Sequence, residues 1–420
     1  MSGVRTNWSG NIAFQAAQLH RPDSIDELRR IVASSSRLRA LGTAHSFNTI
    51  ADSTRDQLSV ANLPSVLRID RERSTVTVGG GIRYGELAQY LHPEGYALHN
   101  LGSLPHISVA GACATGTHGS GVTNGTLSTA VRALTLVMAD GGMVTLERGV
   151  DADFDGAVVA LGLLGVVTDL TLDIEPTYDV AQYVFEDLPL ADVRAQLDAT
   201  FSAAYSVSLF TDWRTDLVNQ IWVKHRTPVT HAEPHWFEAR PADGPRHPVP
   251  GIPPLHCTEQ LGVPGPWHER LPHFRLDFTP SNGDELQTEY FVARTSAADA
   301  LGAIDSIREL IAPVLQITEL RTIAADNLWL SGSYQRDSVG IHFTWIPDMG
   351  AVTPVTAAIE QQLAPFNARP HWGKVFTTAP DVVRSLYPRM AEFVALADRF
   401  DPTEKFRNEF VDRYLSATAR

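Results

Sequence analysis

Apolar and polar positions along this chain follow two periods, 3.6 and 2. Ser24-Ile25-Asp26-Glu27 is a capping box. Leu28, Ile31 and Val32 follow at helical spacing and predict a helix through Ser34. Arg37 to Leu41 alternates as a strand and runs into Gly42, and Val66 to Ile69 and Thr75 to Val78 read as two further short strands. Gly79-Gly80-Gly81 then opens a helix whose apolar face is Tyr84, Leu87, Ala88 and Leu91. Leu134 to Ala139 and Met143 to Leu146 flank Asp140-Gly141-Gly142, a hairpin signature. These short elements make the first ~180 residues one α/β unit. Past Pro176 the alternating runs lengthen: Tyr205 to Phe210, Tyr290 to Val292, Gln316 to Arg321 and Gly340 to Trp345 read as strands, and Ala297 to Ile311 and Val355 to Leu363 as helices.

Composition narrows the picture. Ten prolines between Pro228 and Pro266 exclude regular helix or central strand there and predict a long ordered or wrapping segment. Of 420 residues, 44% are hydrophobic and 20% charged, as in a folded soluble enzyme of two or three domains. Thirty-four Lys and Arg against 48 Asp and Glu give a net charge of −14, which would repel phosphate backbones and argues against a nucleic-acid partner. A bound phosphate would then need backbone N–H groups or a few placed cations. Cys113 and Cys257, the two cysteines, exclude a disulfide scaffold or a Cys-based zinc or iron–sulfur site and are expected as reduced buried thiols. No apolar run opens the chain as a signal peptide would, and none approaches the roughly 20 residues that span a bilayer. A cytoplasmic protein off the membrane is expected.

Three glycine-rich segments carry the candidate chemistry: Leu41-Gly42-Thr43-Ala44-His45-Ser46, Gly79-Gly80-Gly81, and Thr115-Gly116-Thr117-His118-Gly119-Ser120-Gly121. Glycines admit close approach of a phosphate, and successive N–H groups form an anion nest. Any one segment could be a plain turn; three with interleaved Ser and Thr favour a nucleotide site. Other motifs are weaker. Gly79-Gly80-Gly81 with Gly85 has the wrong last spacing for a dinucleotide fingerprint, and no acidic residue lies near Leu98 to Leu101 for a ribose. In His268-Glu269-Arg270-Leu271-Pro272-His273 the histidines are five apart and Pro272 breaks the helix a zinc protease needs. His231 and His235 lie in the proline-rich stretch without evident further ligands. No metal is expected.

The segment around His45 resembles the vanillyl-alcohol-oxidase-type FAD family. In that family it carries the histidine that links covalently to the flavin. Ser103 to Gly111, running into Ala114-Thr115-Gly116-Thr117-His118-Gly119, resembles the family's second flavin loop, and Gly162-Leu163-Leu164-Gly165-Val166-Val167 its third. Glu319-Leu320-Arg321, His342-Phe343-Thr344-Trp345 and His371-Trp372-Gly373-Lys374 are similar to the substrate-site segments of the alditol (xylitol or sorbitol) oxidases within it, and Lys405-Phe406-Arg407-Asn408 fits the family ending.

The resemblance implies an α+β fold, with a two-subdomain FAD-binding domain of PCMH type and an α+β cap over the flavin. The FAD-binding domain would span 1–180, the cap 181–375, and 376–420 would return to the first domain. It implies histidyl FAD on His45, held by Ala40, Leu41, Gly42, Thr43, Ala44, Ser46, Ser103, Ser108, Gly111, Thr115, Gly116, Thr117, His118, Val166, Thr344, His371 and Lys374. Gly102 would gate O2. The implied reaction is oxidation of the terminal alcohol of an alditol to the aldose, with O2 reduced to H2O2 by a monomer. Arg321, Lys374 and Glu319 would be catalytic, and Ser103, Glu319, Arg321, His342 and Thr344 would bind the polyol. A sugar-lactone oxidase or dehydrogenase on the same scaffold is the alternative. Read by themselves, Glu319 and Arg321 also fit a structural ion pair on one strand face, and His342 a satisfied core histidine.

Overall fold

A computed structural model of the chain describes residues 4–64, 66–228, 238–278 and 284–415. The architecture is α+β, built on two main cores. The helix predicted after Ser24 spans Ile25–Ser34, with Ser24 Oγ accepting from Glu27 N–H at 3.4 Å. Glu27 reaches back to the Asp23 N–H, one residue earlier than a capping box requires. Leu38–Ala40 pairs in parallel with Asp56–Leu58, which pairs with Gln18–His20. A five-stranded antiparallel sheet follows, in spatial order Leu67–Asp70, Thr75–Gly79, Val166–Asp173, Val131–Val137, Met143–Glu147. Helix Tyr84–Leu91 buries the predicted face, Tyr84, Leu87, Ala88 and Leu91, in the first core. The Asp140-Gly141-Gly142 turn closes as expected, with Gly141 at φ 82°.

The chain's last helices join this same core through Val383, Phe393, Leu396 and Val411. Lys405 Nζ donates to the Val32, Ala33 and Ala139 carbonyls, and Asn408 Nδ2 to those of Thr49 and Asp52. Buried Arg39 donates to the Leu161, Gly162 and Phe406 carbonyls. It thereby ties the strand Leu38–Ala40 to the turn at Leu161 and Gly162 and to the C-terminal stretch. Trp267, Leu271 and Leu328 to Leu330 also enter this core, although they lie between strands of the second sheet in sequence.

The second sheet has nine antiparallel strands. Its centre runs Asp179–Pro189, Leu217–Arg226, Ser206–Thr211, Leu315–Ile323, Ser338–Trp345, Leu286–Ala293. Alternation divides its faces. Leu209, Leu320, Ile341 and Val292 meet helices Ala297–Asp305 and Met349–Leu363, while Glu319, Arg321, His342, Thr344, Gln287 and Glu289 face the other way. The expected helix over Ala297 to Ile311 is two, broken at Ser306 and Ile307. The helix expected from Val355 starts at Met349 under an Asp348 cap and accommodates Pro354. Where described, the proline-rich segment pairs as Arg240–Pro241 and Gly265–Pro266 on the Asp179–Pro189 strand and through an isolated bridge from Cys257 to Phe274, and otherwise wraps. Both cysteines are free and buried. Among the described residues no helix is long and apolar enough to cross a membrane.

Candidate active site

A cavity of about 750 Å3 lies between the glycine loops of the first core and the polar face of the large sheet. Among the described residues nothing accepts from the backbone N–H groups of Gly42, Thr43, Ala44, His45 or Ser46. Open consecutive donors are an anion nest. Gly42 has no room for a side chain, since a Cβ would lie 2.6 Å from Ser108 Oγ in the second loop. Ala44 adopts a left-handed backbone, φ 59°, and leads into His45. The His45 ring stacks on Trp8 at 5.2 Å, and neither buried ring nitrogen has a partner. Burial lowers its pKa to about 4, partly opposed by the nearby Thr43 carbonyl, so the ring is neutral at physiological pH. Open backbone donors suited to a diphosphate and an unpartnered neutral imidazole, in one largely apolar cavity, fit a flavin nucleotide.

The structure gathers nearly every expected residue here. Ala40, Leu41, Gly42, Thr43, Ala44, His45, Ser46, Gly102, Ser103, Ser108, Gly111, Thr115, Thr117, His118, Val166, Glu319, Arg321, His342, Thr344, His371 and Lys374 all line the cavity. Gly116 does not. It ends helix Val109–Thr115 at φ 71°, its N–H turned to the Ala112 and Cys113 carbonyls, so its glycine answers a helix terminus rather than a ligand. Gly102 needs no left-handed backbone; a Cβ there would lie 3.7 Å from the His118 carbonyl, ordinary contact.

The opposite wall is a polar rank set by strand register. Phe210, Glu319, His342 and Glu289 are cross-strand neighbours in that order. Arg321 binds across it: Nε lies 3.4 Å from Glu319 Oε1, Nη2 3.6 Å from Glu289 Oε1, and Nη1 3.1 Å from Ser103 Oγ. The ion pair with Glu319 is therefore real, and it is part of the cavity wall. Burial would raise the Glu319 carboxyl, but Arg321 and the His273 bond hold it well below the usual range. Burial opposes ionisation of Glu289 too, and His118 and His342 outweigh it. His118 meets an oxygen at each ring nitrogen, Gly119 O at 2.8 Å and Glu289 Oε1 at 2.9 Å. His342 is neutral by burial; its Nδ1 donates to Glu289 Oε2 at 3.3 Å, and its Nε2 lies 3.2 Å from Thr344 Oγ1. Lys374 Nζ donates to Gln287 Oε1 and stands 5.0 Å from the Phe47 ring centre. Burial brings it down to about 8 and His371 to about 3.

Sequence reasoning missed Glu289, Gln287, Lys224 and His273. A signal existed for the first two, polar residues alternating with Leu286, Tyr290 and Val292. His273 belongs to the rejected zinc-like motif. It bonds Glu319 Oε1 at 2.7 Å, while His268 lies against His92, ring centres 5.1 Å apart. Among the described residues no group of three His, Cys, Asp or Glu could hold a metal. His231 and His235 lie outside the described residues. Strand Thr75–Gly79 is antiparallel to both neighbours, which removes the parallel unit a dinucleotide fingerprint requires, although Gly80 and Gly81 do line the cavity.

Comparison with known proteins agrees with this geometry. Residues 16–147 match the FAD binding domain family, and residues 284–414 the D-arabinono-1,4-lactone oxidase family. An L-gulono-1,4-lactone dehydrogenase of Mycobacterium tuberculosis is 28% identical, covering 99% of this chain and 100% of its own. The cholesterol oxidase of B. sterolicum superposes with a TM-score of 0.78 at 16% identity, over 98% of this chain and 96% of that one, a likeness of fold. An alditol oxidase from a Streptomyces species is 52% identical over 414 residues, 98% of this chain and 99% of its own. Identity at that level along nearly the whole of both chains leaves one conclusion: this chain belongs to the alditol oxidase family of FAD-dependent oxidoreductases.

Proposed function

We propose that the chain is a monomeric, cytoplasmic alditol oxidase that converts the terminal CH2OH of xylitol or sorbitol to the aldose, with FAD attached through His45 and O2 reduced to H2O2. Residues 1–180 and 376–420 would hold the flavin and 181–375 the polyol. The observation that carries this reading is the polar rank inside an otherwise apolar cavity. An uncharged polyol needs many paired donors and acceptors, and Ser103, Glu319, Arg321, His342, Thr344 and Lys374 supply them in the lining of one cavity.

Bound FAD supplies the hydride acceptor and the route of electrons to O2. The nest at 42–46 would seat the diphosphate, and neutral His45 would provide the nitrogen that attaches the cofactor. Protonated Lys374 and Arg321 lower the pKa of the reacting hydroxyl and stabilise alkoxide character as hydride leaves. Glu319 accepts from the neighbouring hydroxyl and fixes its orientation. Ser103, His342 and Thr344 read hydroxyls farther along. Gly102, without a side chain, leaves a narrow path for O2.

The match of residues 284–414 to a lactone oxidase family favours lactone oxidation as the second reading. Anaerobic mixing of the yellow protein with xylitol, sorbitol or L-gulono-1,4-lactone separates the two. Bleaching by the alditols supports the proposal, and bleaching by the lactone alone replaces it.

A further inference from the structure

Behind Glu319 lies a buried polar chain that no step above uses. Lys224, on the strand Leu217–Arg226, is 1% exposed. Its ammonium faces three acceptors: Leu271 O at 2.5 Å, Pro272 O at 3.5 Å and His273 Nδ1 at 3.3 Å. An ammonium only donates, so His273 Nδ1 accepts, and the ring proton sits on Nε2. Nε2 points at Glu319 Oε1, 2.7 Å away. Trp222 and Phe210 hold the imidazole edge-on, ring centres 5.0 and 5.6 Å away. The tautomer and plane of His273 are thus fixed from behind.

The consequence falls on the two oxygens of Glu319. Oε1 takes both His273 Nε2 and Arg321 Nε, and no described group bonds Oε2, while the residue lines the cavity. Glu289 differs: His118 and Arg321 take its Oε1 and His342 its Oε2, so each of its oxygens already has a protein partner. The two carboxylates share one rank, and of the pair only Glu319 has an oxygen that no described group bonds.

We propose that Lys224 and His273 are positioning residues for Glu319, a Lys–His–carboxylate relay that pins Oε1 and presents Oε2 to the alditol as an ionised acceptor. Burial lowers His273 to about 4, so the ring stays neutral, and lowers Lys224 to about 7, so the amine is an ammonium below that pH. At any pH the ionised Glu319 oxygen can only accept, which keeps the ring proton on Nε2. The relay rests on the alditol reading above.

A double-mutant cycle tests it. Anaerobic stopped-flow with xylitol gives the reduction rate constant over Kd for wild type, His273→Phe, Glu319→Gln and the double variant, each normalised to bound flavin. Loss of a hydrogen bond to a charged group predicts that His273→Phe costs roughly 10–100-fold in the wild-type background. In the Glu319→Gln background it should cost less than about threefold. His273→Gln should recover most of the loss, because its amide oxygen can accept from Lys224 while its N–H donates to Glu319. If His273→Phe does not fold, Lys224→Met replaces it in the same cycle. Equal costs in the two backgrounds, or a Gln variant no better than Phe, overturn the relay alone. A wild type that no alditol reduces overturns the substrate reading and the relay together.

Discussion

Replacing Arg321 by methionine separates the charge of this residue from its bulk. In wild type the guanidinium touches both carboxylates of the rank and Ser103, and it is 7% exposed. Removing one partner of a buried ion pair costs about 3–5 kcal/mol. At about 2.1 cal/mol/K of unfolding entropy per residue, a chain of this size changes by roughly 0.9 kcal/mol per degree. The variant should therefore melt about 3–6 °C lower at pH 7.5 if it unfolds as one unit. Glu289 keeps His118, so Glu319 bears the loss, with burial no longer offset and only a neutral His273 beside it.

The pH dependence should then change sign. In wild type the depressed Glu319 contributes stability that is present above the unfolded carboxyl pKa near 4.3 and lost as pH falls toward the folded value. In Arg321→Met the folded pKa is raised, so the penalty is full at neutral pH and shrinks on acidification toward pH 5. Differential scanning fluorimetry at both pH values reads this. Flavin reduction by xylitol should slow by about 10²–10³, as for loss of an oxyanion donor. A melting temperature within a degree of wild type, with no relative gain at pH 5, would refute the electrostatic account of the rank.

Further outcomes follow from single groups. His45→Ala should still bind FAD, but acid precipitation should release all of the colour; colour retained in the pellet places the attachment elsewhere. The buried Lys374 ammonium, brought down to about 8, should make flavin reduction fall as pH rises through that value, and a flat profile from pH 7 to 9.5 removes it from alkoxide stabilisation. Gly102→Val should fold, because its backbone is not left-handed and a Cβ meets nothing closer than 3.7 Å. It should slow reoxidation by O2 and leave anaerobic reduction by xylitol intact, and equal loss in both half-reactions refutes the gate.

The first core was legible because its signals are local. The Ser24 cap, the four-residue apolar face after Arg83 and the Asp140-Gly141-Gly142 turn are each written within a dozen residues, and each forms where expected. The loop 41–46 reads as a candidate nest only beside the two other glycine-rich segments, since any one of them alone could be a plain turn. Gly116 lies outside the cavity lining and ends helix Val109–Thr115 with a left-handed φ; in sequence a helix-ending glycine and a phosphate-binding glycine look alike. His273 was invisible for the opposite reason. Its partner Glu319 is 46 residues away, and what joins them is strand order, with Ser206–Thr211 bringing Leu217–Arg226 and Leu315–Ile323 together. Apolar spacing predicts a helix from Val355, but the Asp348 cap starts it at Met349 and Pro354 lies inside it.

Strand register also explains how so much charge fits one wall. Arg321 pairs across the ladder with Gly340, and a Cβ at Gly340 would lie 3.3 Å from both Glu289 Oε1 and His118 Cε1 and 3.2 Å from Ile323 Cδ1. A residue without a side chain at this point lets Glu289 and His118 close on each other and lets the guanidinium reach Glu289 on the strand beyond. The glycine is therefore an electrostatic requirement at a position where backbone conformation makes none. Glu289, bonded to His118, His342 and Arg321, anchors the guanidinium. Arg321, with the His273 bond, keeps Glu319 ionised at the cavity surface. The ordering runs from a missing side chain to an anchoring carboxylate to an available one, and it places the acceptor where a neutral, hydroxyl-rich substrate would need it.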